Sequence, residues 1–344
     1  PYNPLTGASR WNEACVPVYT TGTSIDTGGQ PRESLRTVYG RIDQDIDRAI
    51  ELLEKARETT LAENNKSHIN LYVALGIKSR ACLAEGDWDG AFKAAKRVID
   101  EGGYAVGTKS DLTGGMNSLG KQNVMWGAGI QVADQAGGYA GFFTHMDNKE
   151  GAYAKSAPKL ISKQLYNRIS ATDIRRDWWD PSDKESPYVS KKFSFGNVAS
   201  FLGDYIYMRV EEMYFIEAEA KAHENLGEGI RLLNEFMNNY RIVGGGYDCT
   251  NMSSSVESFT NELMLQKRIE FWGEGIVMFD MKRLDMSTRR GYVGTNSPAS
   301  YRLNTEGRAP YWNFVISRGE TQNNPVIATQ NNPDPSQTVK PWNG

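Results

Sequence analysis

Leu263-Met264-Leu265-Gln266-Lys267-Arg268-Ile269-Glu270-Phe271-Trp272-Gly273-Glu274-Gly275-Ile276-Val277-Met278-Phe279-Asp280-Met281-Lys282-Arg283-Leu284-Asp285 is the stretch on which the fold turns. It opens as an amphipathic helix, with Leu263, Gln266, Ile269 or Glu270, and Phe271-Trp272 recurring every three or four residues. Gly273 and Gly275 then interrupt that spacing, because two glycines so close cost a helix roughly 2 kcal/mol relative to alanine. A second apolar face follows at Ile276, Phe279 and Leu284, set among Asp280, Lys282 and Arg283. The order predicted is helix, glycine bend, helix. So dense a mixture of charge and aromatic rings points to a partly buried polar network. Arg268, Glu270, Asp280 and Arg283 read as scaffold residues, satisfied by ion pairs and backbone caps.

Outward from this stretch, the apolar spacing predicts helices near 34–57, 68–85, 87–101, 206–225, 228–241 and 258–272, packed as repeat-like antiparallel pairs. Ser34 is a good N-cap for the first, whose buried stripe is Val38, Ile42, Ile46, Ala49, Ile50 and Leu53. Ile69 to Gly102 has the length of a tetratricopeptide repeat, with Leu75, Ser79, Gly86, Ala91, Ala95 and Val98 at its large and small positions. Small residues matter there because they let two helices approach closely enough to interlock. A related unit returns at 206–241. Its first helix, Ile206 to Asn225, is apolar nearly all round and so central, and Gly227 turns the chain into the second. Residues 1–33, 104–204 and 286–344 are rich in Gly, Pro, Asn and Tyr and read as loop, with strand character at Asn123–Ile130 and Lys191–Phe195 and a short helix at Ile161–Ile169. The Gly137–Gly141 segment reads as a mobile loop. The fold class is mainly α: tetratricopeptide-like helical repeats carrying long irregular aromatic-rich loops and a few short strands.

The 263–285 stretch resembles the signature of the SusD/RagB family. Arg268, Glu270, Glu274-Gly275, Phe279-Asp280 and Lys282-Arg283 fill its places. Arg209-Val210-Glu211-Glu212 leading to Glu217-Ala218-Glu219-Ala220 resembles a second family motif, and Gly86-Asp87-Trp88 with Ala91 and Gly102-Gly103-Tyr104 the helical-repeat region. Glu320, Asn323-Asn324-Pro325 and Gln330-Asn331-Asn332-Pro333 are similar to the closing pattern. The resemblance implies one SusD/RagB-like domain over 1–344: repeat helices at 34–102, a loop-rich ligand-binding region at 104–204, a second helical pair and signature at 206–285, and an irregular C-terminal region at 286–344. It implies an outer-membrane lipoprotein of the Bacteroidetes cell surface. Such a protein captures oligosaccharide, or in some relatives peptide, and passes it to a SusC-like TonB-dependent barrel. The lipid anchor would sit on an N-terminal segment that lies outside this sequence. Without that segment, an apolar groove on the repeat helices is expected to stand uncovered.

Composition narrows the chemistry. Among 344 residues, 39 basic and 42 acidic side chains leave a net charge of −3, with no basic stripe of the kind a nucleic-acid binder shows. No stretch approaches the length needed to span a bilayer. Cys15, Cys82 and Cys249 are isolated, and Cys82, on an apolar helix face, is expected to be a buried free thiol. His68, His145 and His223 lack metal-ligand spacing. Gly115-Met116-Asn117-Ser118-Leu119-Gly120-Lys121-Gln122 imitates a phosphate loop but ends in Gln122, which has no hydroxyl for Mg²⁺, and runs into a strand instead of a helix. A glycan hydrolase needs two facing carboxylates. Glu211, Glu212, Glu217 and Glu219 sit on a packing helix, and Asp173, Asp177, Asp180 and Asp183 lie beside Arg175 and Arg176. No catalytic residue, metal or cofactor is called for. An intracellular tetratricopeptide adaptor would explain the repeats but neither the aromatic loops nor the signature.

The aromatics point to a ligand. A sugar ring has a flat C–H face that lies well on an indole or phenol, while its hydroxyls need planar hydrogen-bonding partners. Two places combine rings with such partners: Trp126 with Tyr139, Phe142, Phe143 and Tyr153, and Trp178-Trp179-Asp180 with Tyr188. Burial against the repeats is the competing role for each. Trp178 and Trp179, being adjacent, cannot share one face, so one of them is expected to be exposed. The candidate ligand residues are Trp126, Tyr139, Phe142, Phe143, Trp178 and Trp179.

Overall fold

Small side chains set the helix packing. Ser79, Ala91 and Ala95 are fully buried, the two alanines on a helix whose Asp87 N-cap accepts from the Gly90 amide. In the computed structural model, which describes residues 1–24, 26–57, 65–131, 140–336 and 340–343, this helix is α3 (Trp88–Glu101), preceded by α1 (Leu35–Arg57) and α2 (Leu71–Glu85). Later come α8 (Glu211–Glu224), α9 (Leu226–Tyr240) and α10 (Val256–Glu270), with α4 (Lys109–Leu112), α5 (Phe142–Met146), α6 (Ala152–Ser156) and α7 (Lys163–Tyr166) as short turns between. The helices make a tetratricopeptide-like fold, and the strands are few and short, as the composition implied. By its internal contacts the chain forms two compact units: 1–48 with 84–86 and 276–344, and 49–83 with 87–275.

In the second unit α8 is the central helix, packed along α3 on one side and α9 on the other. Met213, Ile216 and Ala220 of α8 share a core with Leu71, Val73, Leu75 and Leu83 of α2 and with Ala91, Ala95 and Val98 of α3. Glycine makes two of these approaches possible: a Cβ on Gly76 would stand 2.5 Å from Met208 Sδ, and one on Gly229 would stand 2.4 Å from Ala222 Cβ. Asn225 alone links α8 to α9, its side chain capping the Glu228 amide. The turn therefore precedes Gly227, which lies inside α9.

The helix expected from residue 206 begins later. Tyr205–Arg209 is strand β4, antiparallel to β1 (Val124–Ala128), with Gly127 opposite Ile206, Ala128 opposite Tyr205 and two bulges near Trp126. Alternating aromatic and β-branched residues suit that pairing, and its partner lies some eighty residues away in sequence, beyond the reach of local spacing. Strands β2 (Trp179–Asp180) and β3 (Val189–Ser190) form a second ribbon, so strand structure stops short of the 191–195 run. The 161–169 helix contracts to α7. The helix of the signature ends at Glu270, where Gly273 and Gly275 take positive φ of 78° and 86°.

The first unit holds α11 (Val277–Arg283) and α12 (Arg318–Asn323) among irregular segments. Asp285 gathers it. Its carboxylate accepts from Asn3 Nδ2 at 3.0 Å and faces Arg10 at 3.2 Å and Arg308 at 3.0 Å. Asp280 and Arg283 pair within α11 at 2.8 Å, both buried, while Phe279, expected on an apolar face, is exposed. Cys82 and Cys249 are buried free thiols. Among the described residues no helix is long and apolar enough to cross a membrane.

Candidate functional site

Two constructions in the second unit bear on function: a buried charge network and an aromatic surface. The network centres on Glu270 at the end of α10, which is fully buried with no exposed side-chain surface. Its carboxylate accepts from Arg209 at 2.8 Å, Arg241 at 2.8 and 2.9 Å, and Arg175 at 3.2 Å. Burial alone would push the Glu270 carboxyl up, but Arg241, Arg209 and Arg175 together outweigh it and hold the carboxyl well below its usual range. Glu274, in the glycine bend, follows the same pattern through Arg209 and Lys192. Lys192 donates to the Glu270 and Trp272 carbonyls and to Glu274 at 2.6 Å, and burial lowers its pKa to about 8 against the pull of Glu274. Every acceptor and donor at the centre is turned inward. With Glu211 of α8 pairing to Arg209 and Arg241, the arrangement ties β4, α8, the end of α9, α10 and the 173–176 turn together and offers nothing to a ligand. Arg268 departs from its expected role. It is half-buried and forms no ion pair among the described residues; burial, then the like charge of Arg168, lowers its pKa.

The aromatic residues divide sharply. Trp178 is 0% and Trp179 2% exposed, so neither offers a face to solvent. The chain passes from a 3-10 turn (Ile174–Trp178) into β2 between them. The adjacent rings do stand at 86° to each other, but both directions are covered. Trp178 Nε1 donates to the Leu112 carbonyl at 2.7 Å and lies under the Lys192 ammonium. Trp179 meets Trp272 edge-on at 6.0 Å. The inference that one of two neighbours must be exposed holds for a strand with one wet face, and this segment has none. Phe143 is buried as well, against Phe195, Phe193 and Met116, with Gly203 left bare so that its ring can approach. These three leave the candidate surface. Tyr139 lies outside the described residues.

Trp126 and Phe142 remain, joined by Tyr205 and by Tyr207, the second of which the spacing had assigned to a helix. Trp126, half-buried on β1, meets the Tyr207 ring edge-on at 5.1 Å. Tyr207 is 44% exposed. Tyr205, two residues along β4 and thus on the same face, contacts Phe142 at 6.1 Å, and its hydroxyl accepts from the Phe142 amide at 3.4 Å. Phe142 is 37% exposed, wedged edge-on against Phe193 at 5.2 Å. The result is a strip of rings, Trp126, Tyr207, Tyr205 and Phe142, across the β1–β4 ribbon. Arg80 borders it, donating to the Tyr207 carbonyl at 2.9 Å and pairing with Glu212 at 2.6 Å. Tyr153 forms a separate exposed stack on His145, with ring centres 4.6 Å apart. The signal that marks Tyr205 and Tyr207 is the alternation Tyr-Ile-Tyr-Met after Asp204, which is a strand period.

Comparison with known proteins gives a consistent family. A family model described as the SusD family matches residues 144–337. A SusD-like carbohydrate binding protein from Bacteroides vulgatus superposes with a TM-score of 0.74 at 25% identity, covering 94% of this chain and 72% of that one. A SusD superfamily protein from Bacteroides thetaiotaomicron gives 0.72 at 22% identity over 94% and 72% of the two chains. Surface glycan-binding protein A from Bacteroides uniformis gives 0.65 at 17% identity over 94% and 74%. No curated protein sequence matches.

Proposed function

Because the chain belongs to the SusD family, we propose that it is a cell-surface glycan-binding protein: it captures an oligosaccharide without cleaving it and delivers it to a SusC-like TonB-dependent barrel in the outer membrane. The observation that carries the glycan reading is the strip Trp126–Tyr207–Tyr205–Phe142, with rings partly open to water and an arginine alongside. Rings held edge-on by their neighbours present a fixed apolar plane, on which a sugar buries its C–H face at small entropic cost. The carbohydrate-binding and glycan-binding descriptions of the similar structures from B. vulgatus and B. uniformis favour the same ligand class.

Calorimetry against a panel of neutral oligosaccharides tests it. At least one glycan is expected to bind, and Tyr207→Ala and Phe142→Ala are each expected to weaken it by about 1–3 kcal/mol. Trp126→Ala should do the same, with a melting curve run beside it because that ring also packs on the core. Binding of peptides with no glycan response would move the ligand class. Glycan binding untouched by all three variants would leave the ligand class standing and move the surface. Delivery to a barrel is tested separately, by whether a TonB-dependent receptor copurifies from solubilised outer membranes.

A further inference from the structure

The exposed stack of His145 on Tyr153 continues the aromatic strip. Along α5, Phe142 and His145 reach solvent while Phe143 and Thr144 between them are buried. Three positions apart on a helix, Phe142 and His145 are neighbours on one face, with Cβ atoms roughly 5–6 Å apart. Tyr153, from α6, then lies flat on the His145 ring, 6° from parallel with centres 4.6 Å apart. It is 39% exposed. Rings therefore follow one another from Trp126 through Tyr207, Tyr205, Phe142 and His145 to Tyr153, across the β1–β4 ribbon and onto the α5–α6 turn.

The turn that carries the stack is firmly tied. Asp147, buried between the two short helices, accepts from the Lys149 amide at 2.9 Å and the Glu150 amide at 3.0 Å. Its other oxygen accepts from the Phe195 amide at 2.9 Å. Phe195 packs on Phe143, so the carboxylate that shapes the turn also fastens it to the cluster beside Phe142. Asn148 adds a second tie, taking the Lys159 amide at 2.8 Å and donating to the Ser190 carbonyl at 2.7 Å. At Gly151 a Cβ would stand 2.5 Å from the Thr144 carbonyl oxygen, so a bare backbone lets α6 fold back on α5. None of these ties uses the His145 or Tyr153 ring, which are left in the open on a fixed base. Hydroxyl partners are at hand in the same unit, where Glu150 is approached by Lys149 at 3.9 Å and Lys155 at 3.8 Å.

We infer that the His145–Tyr153 stack is a further sugar subsite, and that the glycan is a linear chain long enough to lie on Tyr207 and Tyr153 at once. This rests on the glycan reading of the strip. The ring-to-ring steps from Tyr207 to Tyr153 add up to at most roughly 25 Å. A linear glycan advances roughly 5 Å per sugar, close to the spacing of paired aromatic rings, so a chain of about five sugars spans them. A disaccharide covers one end only. Once one end is seated, the rest of the chain meets the second set of rings at high effective concentration, and rings already held in place lose little freedom on binding.

The test is calorimetry of the full chain with di-, tetra- and hexasaccharides of the cello-, xylo-, manno-, laminari- and malto-series. In a series that binds, the hexasaccharide is expected to bind at least about tenfold more tightly than the disaccharide. Tyr153→Ala should weaken the hexasaccharide about tenfold and leave the disaccharide, held on the strip, unchanged. That second reading also shows that the variant is folded. Tyr153→Phe keeps the ring and should bind the hexasaccharide as the unmodified chain does, whereas Tyr207→Ala should weaken both lengths. A hexasaccharide no tighter than its disaccharide, or one indifferent to Tyr153→Ala while Tyr207→Ala weakens it, would overturn the subsite and leave the glycan reading of the strip intact. Binding of a branched glycan but of none of these series would overturn the linear ligand alone. If no glycan binds, the reading of the strip falls and the subsite with it.

Discussion

Glu270 shows how much one side chain can organise. Three arginines from three separate segments converge on a carboxylate that water does not reach. Removing Glu270 leaves Arg175, Arg209 and Arg241 to Asp173, Glu211 and Glu274, with Lys192 also on Glu274 and so an excess of buried positive charge, so Glu270→Ala is expected to cost about 3–5 kcal/mol in chemical denaturation. Its pH signature follows from the depressed pKa. The native carboxylate binds fewer protons than its unfolded counterpart, whose ordinary value is 4.5. The stabilisation is therefore complete above that value and is lost as pH falls through the folded pKa. Glu270→Gln should accordingly lower the urea midpoint at neutral pH and flatten its decline in acid; a variant with the wild-type acid profile would remove Glu270 from the centre of the network. The motif's charge density pointed to a polar network and marked Glu270, Asp280 and Arg283, which are ion-paired; that Arg268 stands apart, and that Arg175 and Arg241 come to Glu270 from distant segments, was not legible. Glu270 and Arg268 are two positions apart and meet different surroundings, one ringed by arginines and the other facing Arg168.

At the scale of elements, the contact of α8 with α9 depends on a missing side chain. A Cβ at Gly229 would stand 2.4 Å from Ala222 Cβ and 2.8 Å from the Ala218 carbonyl. Gly229→Ala should force the helices apart and lower stability by about 1–3 kcal/mol. Gly227, exposed on the same helix, meets only the end of the Asn225 side chain, at 3.4 Å. Gly227→Ala should instead be neutral or stabilise by up to about 1 kcal/mol, through better helix propensity. Urea melts of the pair separate a packing role from a propensity effect; equal losses in both would mean that close approach is not what Gly229 supplies. The helices themselves were readable because their apolar periodicity and caps are local. Strand β4 was not, since Tyr205–Arg209 becomes a strand only by meeting β1, and the aromatic strip stands on that pairing.

For the whole molecule, a net charge of −3 and the proposed ligand surface of rings predict that a neutral glycan's affinity is nearly independent of salt, because few fixed charges are screened on binding. Titrations at low and high ionic strength check this, and a steep salt dependence would indicate an anionic ligand instead. Prolonged incubation with a bound glycan should return it at its original length; shortened products would replace the binding role with hydrolysis. What the sequence determined by itself was the mainly helical, repeat-like class and the family, both carried by periodic spacing and a contiguous motif. What only the tertiary structure decided was which aromatic rings are available to a ligand. Trp178 and Trp179 sit in a stretch as polar and loop-like as any binding loop, yet α7, Leu112 and Trp272 close over them. Tyr207 sits in what reads as a helix and reaches water. Exposure is set by what packs above a residue, and those neighbours come from distant parts of the chain.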